Sequence, residues 1–156
     1  MTIMPTNEGG LRIEIEDAGD WVLLGGITAD AMSREDKLSH RLGEFITDEE
    51  VVMDWLEFMV PELEDGFNAA MLHVTTAIAT ARVEHSGGAG LLIITREELF
   101  HWYSALNQAR LALEETHQFG PGERIDPAVL PDRRREPFLR SQFYCAIQSL
   151  LLTVGM

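Results

Sequence analysis

The sequence predicts a mainly α protein, a bundle of four to five helices with a short N-terminal β-hairpin. Three observations carry this expectation. Apolar residues recur at three- and four-residue steps along most of the chain, as they do when one helix face is buried. Two capping boxes, Thr47 with Glu50 and Thr95 with Glu98, mark helix starts. Strand-like alternation is confined to a few short stretches.

In chain order, residues 1–10 read as a loose polar lead-in. Leu11, Ile13 and Ile15 alternate with Arg12, Glu14 and Glu16, a half-buried strand. Asp17-Ala18-Gly19-Asp20 reads as a turn and Trp21-Val22-Leu23-Leu24 as the returning strand, ended by Gly25-Gly26. Leu91 to Ile94 offers a third short strand beside this hairpin. Thr28–Gly43 reads as a sparse helix anchored by Ala31, Leu38 and Leu42. A helix over 47–60 follows, and Pro61 opens another over 61–84, since a first helical turn needs no donor from proline. Apolar residues lie on two sides of the 61–84 helix, which makes it the expected central one. Gly87-Gly88-Ala89-Gly90 stops it. The helix over 95–117 carries the stripe Leu99, Trp102, Leu106, Ala109 and Leu113. Three prolines and two glycines then break the chain before Pro137 opens a last helix over 137–154, with Leu139, Phe143, Ala146, Ile147, Leu150 and Val154 on one face.

The 156 residues are expected to form a single domain over 1–156, without repeats or linkers. The formal net charge of −14 argues against binding nucleic acid through phosphates and against an anionic membrane surface. No apolar run is long enough to span a bilayer. The single cysteine, Cys145, excludes an internal disulfide and fits a reducing compartment. The first residues lack the basic start and apolar run of a signal peptide, so a cytoplasmic protein is expected.

Candidate chemistry is thin. Glu98 with His101 and Glu114 with His117 have the Glu-x-x-His spacing of di-iron bundles, but both pairs lie on one helix, where they cannot converge; no metal site or cofactor is expected. Cys145 reads as an inert thiol in an apolar helix, His73 as a hydrogen-bonded core histidine, and His40 and His85 as surface residues. No nucleophile elbow, phosphate loop or dinucleotide fingerprint is present. Beside the apolar stripe of the 95–117 helix runs a polar row, Tyr103, Asn107, Arg110 and Glu114. Its first reading is structural, with Arg110 paired at the core edge; its second is a ligand or partner site formed by Tyr103, Asn107 and Arg110. Charge is segregated: Glu44 to Asp65 holds nine carboxylates and no cation, whereas Arg124, Arg133, Arg134, Arg135 and Arg140 cluster before and within the last helix. They are read as two solvated faces or as faces that meet, within one chain or across a dimer.

The stretch LLIITREELFHWYSALNQARLAL resembles an uncharacterised bacterial family, domain of unknown function 2017. Trp102, Leu106, Asn107, Arg110, Leu111 and Leu113 carry the likeness, with a weaker echo at Tyr144, Gln148 and Leu151. The likeness covers roughly residues 48–118 and 137–154; the N-terminal hairpin and the Arg133-Arg134-Arg135 run lie outside it. The resemblance implies a small, mainly helical cytoplasmic protein without an assigned activity. It also implies a link to protein quality control, through family genes that neighbour the Clp-protease adaptor in actinobacteria.

The sequence therefore supports a non-enzymatic protein-interaction or self-associating module, with a protein partner or a second copy as its ligand. Trp21 on an exposed hairpin and Arg133, Arg134 and Arg135 are its candidate contact residues. The alternative is a small-molecule-binding protein or enzyme with a site around Tyr103, Asn107 and Arg110, joined by His73 or His101.

Overall fold

The computed structural model describes residues 1–33, 38–121 and 124–155. The chain is mainly helical, with a three-stranded antiparallel sheet ordered β1 (Thr2–Pro5), β2 (Leu11–Ile15), β3 (Gly90–Ile94). Ile13 is the hub of that sheet, opposite Ile3 on one side and Leu92 on the other. The third strand thus lies where the sequence suggested, but the hairpin partner of β2 precedes it. The presumed polar lead-in is strand β1. Only four residues pair, and Pro5 is tolerated because β1 is an edge.

Trp21 to Leu24 is helix, not strand. Helix α1 runs from Ala18 to Ala31, and the expected turn residue Asp17 is its N-cap, accepting from the Gly19 and Asp20 N–H groups. Trp21, Leu24 and Ile27 step by three along its buried face. Gly26, read as a strand terminator, sits mid-helix because a Cβ there would come within 2.8 Å of the Tyr144 hydroxyl. Of the sparse helix expected over Thr28–Gly43, the first residues belong to α1 and Leu38–Arg41 forms a single turn, α2; residues 34–37 lie outside the described part.

Pro61 stands in the first turn of a helix, as expected, but no break separates that helix from the one before it. Asp48, rather than Thr47, caps α3 (Glu49–Asp54), which passes through a π-helical turn, Trp55–Met59, directly into α4 (Val60–Glu84). Within that turn the Val60 N–H reaches back to the Trp55 carbonyl, so the ladder is already rearranged where proline brings no donor.

The expected central helix is also a different one. On α4 only Val60, Ala70, Val74, Ile78 and Ala81 are buried, while Leu72 and Val83 on its other side face solvent. The centre is α5 (Leu99–His117), packed by α1, α4 and α6 (Asp132–Val154). Its stripe of Leu99, Trp102, Leu106, Ala109 and Leu113 is buried as expected, and Ala105, Ala109 and Ala112 let neighbouring helices come close. The capping box at its start is complete, with Thr95 and Glu98 each accepting from the other's backbone. Helix α6 begins five residues before Pro137, because the Pro131 carbonyl accepts from the Arg134 and Arg135 N–H groups. Its buried face is Phe138, Tyr144, Ile147, Gln148 and Leu151, rotated from the expected one so that Leu139 and Ala146 face out. Among the described residues no helix is long and apolar enough to cross a membrane.

Candidate functional site

Trp21 is 1% exposed and donates from its indole nitrogen to the Gly88 carbonyl at 2.7 Å. It ties α1 to the loop before β3, and its expected role as a surface contact residue is incompatible with that position. The arginine run is largely spent on local structure. Arg135 donates to the carbonyls of Pro127 and Leu130 and to Asp132, clamping the proline-rich loop onto the start of α6. Arg134 donates to the His117 carbonyl and lies over the Phe119 ring. Arg133 is exposed. Among the described residues, none of the ion pairs joins these arginines to the 44–65 carboxylates.

The Tyr103–Asn107–Arg110 row separates. Asn107 and Arg110 line a groove of ≈ 420 Å³ with Glu114, Phe119, Ser141 and Gln142, and Tyr103 does not reach it. Arg110 Nη1 donates to Gln148 Oε1 at 2.6 Å, and the buried Gln148 amide returns a bond to the Tyr103 carbonyl at 3.3 Å. Arg110 Nε is buried without a partner. The partner of Arg110 at the core edge is therefore a neutral amide.

The buried charge pair lies one helix away. Asp30, 9% exposed, accepts two parallel bonds from Arg140 at 2.8 and 3.0 Å and a third from the Tyr144 hydroxyl at 2.7 Å. Arg140 and Tyr144 are four residues apart on α6, so both reach the same carboxylate. The bond to Asp30 raises Arg140, and burial, followed by the bond to Asp30, pushes the Tyr144 phenol far above its ordinary value. Sequence reasoning missed Asp30. Its signal was a carboxylate in step with Trp21, Leu24 and Ile27, the apolar face of what proved to be a helix.

His73 and His101 stack with ring centroids 4.7 Å apart, and His73 Nε2 donates to Glu98 Oε1 at 2.9 Å. Burial works to raise Glu98, but its bonds from the Thr95 backbone and side chain and from His73 prevail and hold it below the usual carboxylate range. These residues line an open groove of ≈ 800 Å³ between α4 and β3. Glu98 thus serves cap and histidine together. Among the described residues, no three His, Cys, Asp or Glu side chains gather into a metal-binding group. His40 is exposed, whereas His85, expected at the surface, is half-buried against Trp21; Cys145 is half-buried too.

A run of exposed apolar side chains lies elsewhere, on residues 45–59. Neither α3 nor the π turn contains a buried residue. Phe45 is 89%, Met53 64% and Phe58 63% exposed, with Val51, Leu56 and Met59 exposed beside them. This arm is tethered on one side: the Trp55 indole donates to the Ser39 carbonyl at 3.2 Å, and Gly43 leaves room for the Trp55 ring. The tether is fixed in turn by Arg41 of α2, which pairs with Glu115 of α5. The sequence marked this stretch as an acidic helix over 47–60, without indicating that its apolar residues would stay exposed.

No curated protein and no solved structure matches the chain. The model of one family does, over residues 14–154, and the chain accordingly belongs to that family, described as a domain of unknown function, DUF2017.

Proposed function

We propose that the protein is a non-enzymatic protein-interaction module whose docking element is the arm of residues 45–59, helical from Glu49 on. One observation carries this reading: two consecutive helical segments bury no residue while presenting Val51, Met53, Leu56, Phe58 and Met59 to solvent. Several large apolar side chains left exposed on one short helical stretch mark an interaction surface, and methionine adapts to varied partners. A link to protein quality control, as the family resemblance implies, fits a docking role. The test is affinity capture from the native cytoplasm with wild type and a Met53→Ser/Phe58→Ser variant, followed by quantitative mass spectrometry. Partners present with wild type and depleted with a folded variant support the reading. An identical set of partners removes it.

A second reading has its own observation. Arg110 is a partly buried cation whose one polar contact among the described residues is neutral, and it borders a groove with Asn107, Ser141 and Gln142. A small anionic ligand would supply the missing charge. Thermal shifts with a panel of small carboxylates and phosphates test this reading. A shift seen with wild type and lost in Arg110→Gln supports it.

A further inference from the structure

The arm is charged on one sign only. Nine carboxylates and no cation lie between Glu44 and Asp65. Of these, Glu49, Glu50, Asp54 and Glu57 are exposed on the same two segments as the apolar side chains. Met53, Leu56 and Met59 recur at three-residue steps, and Val51 and Phe58 stand about two turns apart on the other flank. An exposed apolar surface interleaved with carboxylates complements one kind of partner in particular, an amphipathic helix with an apolar face rimmed by Lys or Arg. A second copy of this chain fits less well. Two arms laid together would oppose carboxylates, and each copy brings a net charge of −14. Of the three arginines at the start of α6, Arg134 and Arg135 are bonded to their own chain, and Arg133 alone would weigh little against the carboxylates of two arms.

We propose that the 45–59 arm docks a cationic amphipathic helix of another protein, apolar face to apolar face with the partner's basic residues against Glu49, Glu50, Asp54 and Glu57. This rests on the docking reading above and adds the partner's chemistry. The arm offers about three turns of helix, so the partner segment is short and its affinity modest.

The test uses the full chain and two synthetic peptides with the same leucines at i, i+3, i+4 and i+7, one carrying lysine and one glutamate at the remaining positions. Binding is followed by fluorescence anisotropy at low and high salt, and the self-association of the protein by sedimentation equilibrium. The expected result is binding of the lysine peptide that weakens with salt, with none for the glutamate peptide. Phe58→Ser, at an exposed position, should abolish that binding without altering the circular-dichroism spectrum. Replacing Glu49, Glu50 and Glu57 by Gln and Asp54 by Asn should weaken it by about tenfold. Three results overturn the inference: no binding of the lysine peptide, binding unchanged in both variants, or equal binding of the two peptides. Equal binding that still depends on Phe58, or a dimer dissolved by Phe58→Ser, leaves the arm as a docking element while discarding the cationic partner. A capture experiment insensitive to Met53→Ser/Phe58→Ser removes the docking reading itself.

Discussion

Asp30 is the residue on which the joint between the first and last long helices depends, and Asp30→Ala measures it. Its carboxylate is the shared acceptor for Arg140 and Tyr144, more than a hundred residues away in sequence. Removing one partner of a buried pair costs about 3–5 kcal/mol. The Arg140 side chain retains 30% of its exposure, so water recovers part of its solvation, whereas the hydroxyl of fully buried Tyr144 loses its acceptor outright. The two corrections act in opposite directions, and about 3–5 kcal/mol stands. For a domain of this length each kcal/mol lowers the melting point by about 2–4 °C, giving a fall of about 6–20 °C. Circular-dichroism melts of Asp30→Ala, Arg140→Leu and the double variant provide the assay. The double variant should melt above the sum of the single losses, because removing both charges leaves neither stranded. An Asp30→Ala melting point equal to wild type, or strict additivity in the cycle, would falsify the claim that this pair joins α1 to α6.

Arg110→Ala should be milder than Asp30→Ala. It strands the Gln148 amide rather than a charge, at a cost of about 1–3 kcal/mol or roughly 2–12 °C in the same melts; a loss as large as that of Asp30→Ala would point to a charged partner instead. Glu98 should shape the acid side of the stability profile. Its folded pKa is depressed, so its stabilisation is complete above an unfolded value of roughly 4.3 and disappears as pH falls through the folded value. Melting-point series across that window should show a shallower acid slope for Glu98→Gln, and equal slopes would refute the assignment. Gly10→Ala should disrupt the sheet, since the new Cβ would lie 2.1 Å from the Ile94 carbonyl oxygen. A loss exceeding about 1–3 kcal/mol is expected, with faster amide exchange in β2, and a wild-type melt would show that the strands can part without cost.

The legible parts of this fold share one property: the signal was local. The Thr95–Glu98 capping box and the stripe that follows specify α5 within a few turns, and both are present in the structure. Where the decisive contact was distant, the reading failed. The run Trp-Val-Leu-Leu-Gly-Gly has the residues of a strand and its stop. Yet Gly26 is small because of Tyr144, and Trp21 is placed by Gly88. Pro61 and Pro137 misled as breaks between helices for a related reason. Each removes one donor, and a π turn before Pro61 and the Pro131 carbonyl at the head of α6 let the helices run through.

The same division applies to the candidate sites. Spacing put Asn107 and Arg110 on one face of α5, and they do share a groove. Spacing could not name Gln148 as the partner, because which residue of α6 faces Arg110 depends on the rotation of that helix, set by Tyr144 against Asp30. For the arm the difficulty is deeper. An amphipathic pattern says that a helix has an apolar side, and folding normally covers it. Val52 and Trp55 are half-covered in this chain, while Met53 and Phe58 are not. The sequence difference between the two pairs is slight, since all four are apolar residues in one acidic segment. What separates them is the tether of Trp55 to Ser39, a contact across sixteen residues that turns one flank of the arm inward and leaves the other in solvent.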